Sequence, residues 1–211
     1  MILEPIAEAQ MDRNGRRALV KRAQIIEAAI SEFCERGYAS TRMSDVAKRA
    51  RVSYGLIYHY FGSKEVLFDS VVETWWDAVY RMLETERGET KPVQLKLENM
   101  VEYMMGMYEA KPEIVSIFIT EVSRSSNYHA VHGVVNIEKA FSLVQDIMKQ
   151  GQLSGLLNPA ISARYLSYIF VGAIESMLTV LVMGNEPLNA ARRERIATAI
   201  IKIFLDGAAL R

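Results

Sequence analysis

Apolar residues recur at helical spacing along most of this 211-residue chain. No stretch alternates for long enough to read as a strand, so the fold class expected is all-α. The first helix is expected over residues 17–36, with Ile26, Ala29, Ile30 and Phe33 as its inward stripe and Gly37 as the residue that ends it. A short helix follows over residues 43–50, with Val46, Ala47 and Ala50 on one side. Arg51-Val52 breaks it, and Ser53 caps a second short helix over residues 54–60. There Ile57 and Phe61 share one side, while Gly55, Tyr58 and His59 lie round to the other. Gly62-Ser63 stops that helix and caps a long one from Lys64 to about residue 86, with Leu67, Phe68, Val71, Val72, Trp75 and Val79 inward.

Residues 87–90 read as a break, and the chain then continues as a run of helices. Over residues 93–110, Met100, Tyr103, Met104, Met107 and Tyr108 fall at i, i+3, i+4, i+7 and i+8, a stripe that serves as core or as an adaptable pocket wall. Lys111-Pro112 restarts a helix through Ile114, Val115, Phe118 and Ile119. Another is expected over residues 128–150, with Val134, Phe141, Val144 and Met148. Residues 161–183 are apolar nearly all round. Their length suits a membrane span, but Arg164, Glu175, the serines and Gly172 favour a buried helix. The last helix, residues 190–205, carries Ile196, Ala199, Ile200, Ile203 and Phe204 on one face. The division expected is a first domain at 13–68 and a second at 69–211.

Charge changes the picture of the first domain. Lys and Arg total 25 in the chain, as do Asp and Glu. From Arg13 to Lys64 there are eleven basic against four acidic residues, a balance of +7 that leaves −7 for the rest. A basic segment in an otherwise acidic protein is a footprint for nucleic acid. Two short helices joined by a tight turn form a helix-turn-helix, whose second helix enters the DNA major groove. The outward side of residues 54–60 fits that use. It places a glycine, which costs about 1 kcal/mol inside a helix, between aromatic rings with polar tips. Lys64 at a helix N-terminus opposes the macrodipole and suits a bound phosphate. The basic cluster at Arg13, Arg16, Arg17, Lys21 and Arg22 behind a short N-terminal tail reads either as a DNA-reaching arm or as simple solubility.

Residues 23–68 closely resemble the N-terminal domain of TetR-family transcriptional regulators. The resemblance rests on Gly37-Tyr38, Thr41, Val46-Ala47, Ala50-Arg51-Val52-Ser53, Gly55, Tyr58-His59-Tyr60-Phe61, Lys64-Glu65 and Leu67. It departs at Arg51, where the family has glycine in the turn. An arginine at positive φ costs roughly 1–2 kcal/mol, so either the turn differs or a contact compensates. The resemblance implies a homodimeric, ligand-responsive repressor of a double-stranded DNA operator. Its DNA contacts fall on Thr41, Arg42, Ser44, Ser53, Tyr54, Gly55, Tyr58, His59, Tyr60 and Lys64. A small hydrophobic effector would be held in the second domain by Met100, Tyr103, Met104, Met107, Phe118, Phe141, Tyr168 and Glu175. The last two helices, Ile200 among them, would form the dimer seam.

Other chemistry is sparse. Cys34 is the single cysteine, so no intrachain disulfide exists and a reducing, cytoplasmic setting is expected. The N-terminus lacks the long apolar stretch of a signal peptide. No nucleophile elbow, P-loop, dinucleotide fingerprint or HExxH is present, so neither an enzyme nor a cofactor is expected. The alternative is a metal-binding protein or enzyme built on His129 and His132, whose i, i+3 spacing puts both on one helix face.

Overall fold

The computed structural model describes residues 13–122 and 135–209. The N-terminal tail, the His129/His132 pair and the first turns of the helix expected from residue 128 lie outside them. Among the described residues nine α-helices follow one another without a strand. They are α1 (Arg13–Arg36), α2 (Met43–Arg49), α3 (Tyr54–Phe61), α4 (Lys64–Gly88), α5 (Val93–Ala110), α6 (Pro112–Ile117), α7 (Val135–Leu153), α8 (Ala163–Met183) and α9 (Ala190–Ala208). α6 widens into a π-helical turn at Phe118–Val122. The chain divides into two compact units, Met1–Glu73 and Thr74–Arg211, and the division falls inside α4.

The first unit is built on α1, which buries Ile25, Ile26, Ala29, Ile30 and Phe33. Gly37 ends it at φ 77°, a left-handed conformation open to glycine without a Cβ clash, and its N–H returns to the Phe33 carbonyl at 2.9 Å. α2 buries Met43, Val46 and Ala47, and α3 buries Ile57 and Phe61. The first turns of α4 close the unit. Phe68 packs edge-on against Phe33 at 5.6 Å, and Arg22 donates to the Ser70 hydroxyl at 3.1 Å.

The second unit packs α5 to α9 with the rest of α4. α8 shows two faces rather than one: Leu166, Phe170, Ile174, Leu178 and Leu181 are buried, while Tyr165, Ile169, Val180 and Met183 are exposed. The burial all round expected for this segment therefore does not hold within one chain. α9 is split in the same way. Ala197, Ile200, Ile201, Phe204 and Ala208 face the unit's own core, and Ile203 stands 75% exposed. Ile200 is thus a core residue of its own subunit and not an outward seam residue. Ile203 lies three residues after Ile200 and so about 60° away round the helix, enough to carry it past the edge of the buried face.

Candidate nucleic-acid interface and internal cavity

Arg51 occupies the turn between α2 and α3 at φ 52°, so the glycine-type geometry is kept with an arginine in it. The turn is closed by the Arg51 N–H on the Lys48 carbonyl (3.1 Å) and the Val52 N–H on the Ala47 carbonyl (3.0 Å). Gln24 of α1 satisfies another carbonyl at this end, Ala50, at 2.7 Å. Ser53 caps α3 by accepting from the Leu56 N–H at 3.3 Å. Gly62 ends it at φ 69°.

An ion-pair network fixes α2 on α1. The buried Glu32 carboxylate accepts from Arg49 at 2.7 Å and lies 3.1 Å from Arg36. Arg49 also grips Glu35 with both terminal nitrogens, one of them at 2.7 Å. Hydrogen bonding from Arg49 holds the Glu35 carboxyl below its usual range, and the same partners push the guanidinium up. α2 is thus anchored on α1 without using the outward face of α3.

That face carries Tyr54, Gly55, Tyr58 and His59, all exposed, with Tyr60 half-buried beside His59. The Tyr54 and Tyr58 rings lie 4.8 Å apart, and the Tyr54 hydroxyl donates to the Tyr58 oxygen at 3.0 Å. Tyr58's own proton is left to point elsewhere. A Cβ placed on Gly55 would meet nothing within 4 Å, so no packing inside the protein requires glycine there. Arg42, Ser44 and Ser53 are exposed around the same helix ends.

Two expected phosphate contacts turn inward. Thr41 is only 2% exposed, and its hydroxyl is directed to the Gly37 (2.9 Å) and Glu32 (3.1 Å) carbonyls, where it ties the loop after α1. The Lys64 ammonium has three N–H groups and three carbonyls around it: Tyr38 at 3.0 Å, Thr41 at 3.2 Å and Ala39 at 3.3 Å. It also sits 4.4 Å from the centre of the Tyr38 ring. The charge that opposes the α4 dipole is therefore answered by the carbonyls of the preceding loop. Tyr38 is pushed up to about 12, by burial first and then by the Glu65 carboxylate, to which its hydroxyl donates at 3.4 Å.

The second unit holds a partly open cavity of about 150 Å³ lined by α4, α5, the π-helical turn, α7 and α8. Of the expected residues, Met100, Met104, Phe118, Phe141 and Glu175 line it. Tyr103, Met107 and Tyr168 do not. The buried stripe of α5 runs through Leu97, Met100, Val101, Met105 and Tyr108, which rotates Tyr103 and Met107 to its edge. Tyr103 donates to the Ala78 carbonyl at 3.3 Å. Tyr168 stands behind Phe141, edge-on at 4.7 Å, and accepts from Arg164 at 2.6 Å. The sequence reading missed the contribution of α4, whose Trp75, Trp76, Val79, Met82 and Leu83 form one wall. Its tryptophan pair at the end of the core stripe was the available signal. Among the described residues no group of three His, Cys, Asp or Glu side chains could hold a metal.

The first unit is thus a helix-turn-helix head of the kind that docks in a DNA groove, joined through α4 to a helical body with an apolar cavity. Residues 25–71 match the family described as bacterial regulatory proteins, tetR family. The chain is similar to the transcriptional repressor NicS of Pseudomonas putida, 27% identical over 72% of this chain and 73% of that one. Its fold is that of the fatty acid degradation regulator FadR from Bacillus halodurans (TM-score 0.80, 21% identity, 90% of this chain and 97% of that one). It also matches FadR from Bacillus subtilis in complex with stearoyl-CoA (TM-score 0.76, 24% identity, 88% and 98%). The first unit is a TetR-family DNA-binding domain, and the chain is similar to that family's transcriptional regulators over most of its length.

Proposed function

We propose that this protein is a cytoplasmic, ligand-released repressor that binds a palindromic operator as a homodimer. The observation that carries the DNA reading is Gly55: a helix gives up stability for a bare spot that nothing inside the protein fills. Base edges are read by Ser44, Tyr54, Gly55 and His59. Arg42, Ser53, Tyr58 and Tyr60 hold phosphates, and Thr41 and Lys64 brace the head from within.

Two heads must present their α3 helices about 34 Å apart to meet successive major grooves. The exposed apolar stripes of α8 and α9, with Ile169 and Ile203 at their centres, support a two-fold four-helix seam. The cavity supports an apolar effector, and the stearoyl-CoA bound to the Bacillus subtilis relative makes an acyl compound one candidate. A cavity of about 150 Å³ takes a group of roughly benzene size. Anything longer needs Met82, Met100 and Met104 to give way, which unbranched thioethers do readily. Effector binding favours a conformer in which α4, shared by both units, no longer suits the operator. Moving the balance from 1:99 to 99:1 takes about 5.5 kcal/mol of differential affinity.

His59→Ala tests the reading. It should alter which operator variants are bound, by about 1–3 kcal/mol per lost base contact, as measured by fluorescence anisotropy on a panel of duplexes. Unchanged affinity for every duplex would remove His59 from the interface.

A further inference from the structure

Among the described residues two that are not glycine hold a positive φ, Asn185 at 47° and Arg51 at 52°. Asparagine visits this region readily because its short polar side chain bonds locally, whereas a long side chain there is strained. The turn itself does not call for an arginine. Its two hydrogen bonds, from the Arg51 and Val52 N–H groups to the Lys48 and Ala47 carbonyls, are backbone bonds that glycine would make without strain. Nor does the head use the guanidinium. Arg51 is exposed, and its side chain has no hydrogen bond or ion pair among the described residues. Other arginines of the head differ: Arg49 is held by Glu32 and Glu35, Arg36 by Glu32, and Arg22 by Ser70. Strain of this kind persists where function uses it, and nothing among the described residues offsets it here.

Building on the reading of the first unit as a DNA-binding head, we propose that Arg51 grips an operator phosphate at the rim of the major groove. The turn runs directly into Ser53, the cap of α3. A recognition helix sets its N-terminal residues at the base edges, which brings the turn before it to the strand bordering the groove. The planar guanidinium fork suits two phosphate oxygens at once. Its place ahead of α3, off the helix face that reads bases, makes the partner a phosphate rather than a base. The contact adds affinity on every sequence and fixes the head's register without choosing the operator. The free protein thus carries in its turn a strain that the bound phosphate offsets.

The test uses the full chain, a fluorescein-labelled pool of random-sequence duplexes and a duplex enriched from that pool. Arg51→Gly should unfold at a higher urea concentration than the wild type, because glycine relieves the positive φ. By anisotropy it should bind both DNA probes more weakly, with the slope of log K against log salt reduced by about 0.9 for each head bound. The wild type's advantage should therefore shrink about eightfold per head for each tenfold rise in salt. Arg51→Lys keeps the charge and should restore the slope in full and the affinity in part. Unchanged affinity and slope in Arg51→Gly would make Arg51 a solvated side chain and overturn the proposal, with DNA binding by the head intact. A loss confined to the enriched duplex would overturn it too, since that marks a base contact. A lower urea midpoint would show that the fold itself uses the arginine, and the proposal would fall with the strain it rests on. If the wild type binds neither probe, the DNA-binding reading falls as well.

Discussion

Gly55→Ala separates the demands of folding from those of DNA binding. Gly55 lies in the first turn of α3 in helical conformation, and a Cβ there meets nothing within 4 Å. Alanine spends less backbone entropy in a helix than glycine, so the substitution should stabilise the protein by about 0.5–1 kcal/mol. Bound to an operator, the same methyl would project from the exposed face of α3 that the proposed reading presses against DNA. Forcing one carbon into a filled contact costs about 1–3 kcal/mol, or about 5- to 150-fold in affinity. Urea unfolding at constant m reads the first effect and fluorescence anisotropy with a duplex operator reads the second. A more stable protein with unchanged DNA affinity would move α3's bare spot out of the interface. A less stable one would contradict the open space around Gly55.

Lys64→Met removes three charge-assisted hydrogen bonds to the loop after α1 and should cost about 1–3 kcal/mol in urea unfolding. The slope of log K against log salt should stay as in the wild type; a loss of about one unit would restore Lys64 as a phosphate contact. Tyr38, raised to about 12, keeps its proton in the folded state after the unfolded chain begins to lose its own near 10. Its stabilising contribution is therefore complete below pH 10 and fades as pH rises towards 12, so urea midpoints from pH 9 to 12 should fall less steeply in Tyr38→Phe. Ile203→Glu should remain folded and sediment as a monomer, because Ile203 is exposed within its own subunit. Ile200→Glu should unfold the chain, because it places a carboxylate in the core. The reverse pattern would exchange the roles assigned to these two residues.

The helices were legible because their stripes and punctuation agree: Val46, Ala47, Ile57 and Phe61 lie buried where their spacing puts them, and Ser53, Gly37 and Gly62 act as caps. What the sequence hid were choices between rival faces. α5 carries apolar residues on more than one side, so Met100 and Met104 reach the cavity while Met107 and Tyr103 do not. On α9 the single apolar face read from spacing divides between core and exterior at Ile200 and Ile203. The spacing gave no sign that the polar groups of Thr41 and Lys64 meet backbone carbonyls of the loop after α1, far from Lys64 in sequence. Spacing alone does not reveal such partners. Trp75 read as core, and the structure sets it on the wall of the cavity.

The most direct measurement is a selection of bound duplexes from random-sequence DNA, followed by sedimentation of the protein with the enriched duplex. Enrichment of an inverted repeat with half-sites one helical turn apart, bound by two chains per duplex, is the expected result. Selection without any enriched sequence, or tight binding of the enriched duplex by one chain alone, would contradict a dimeric operator-binding regulator.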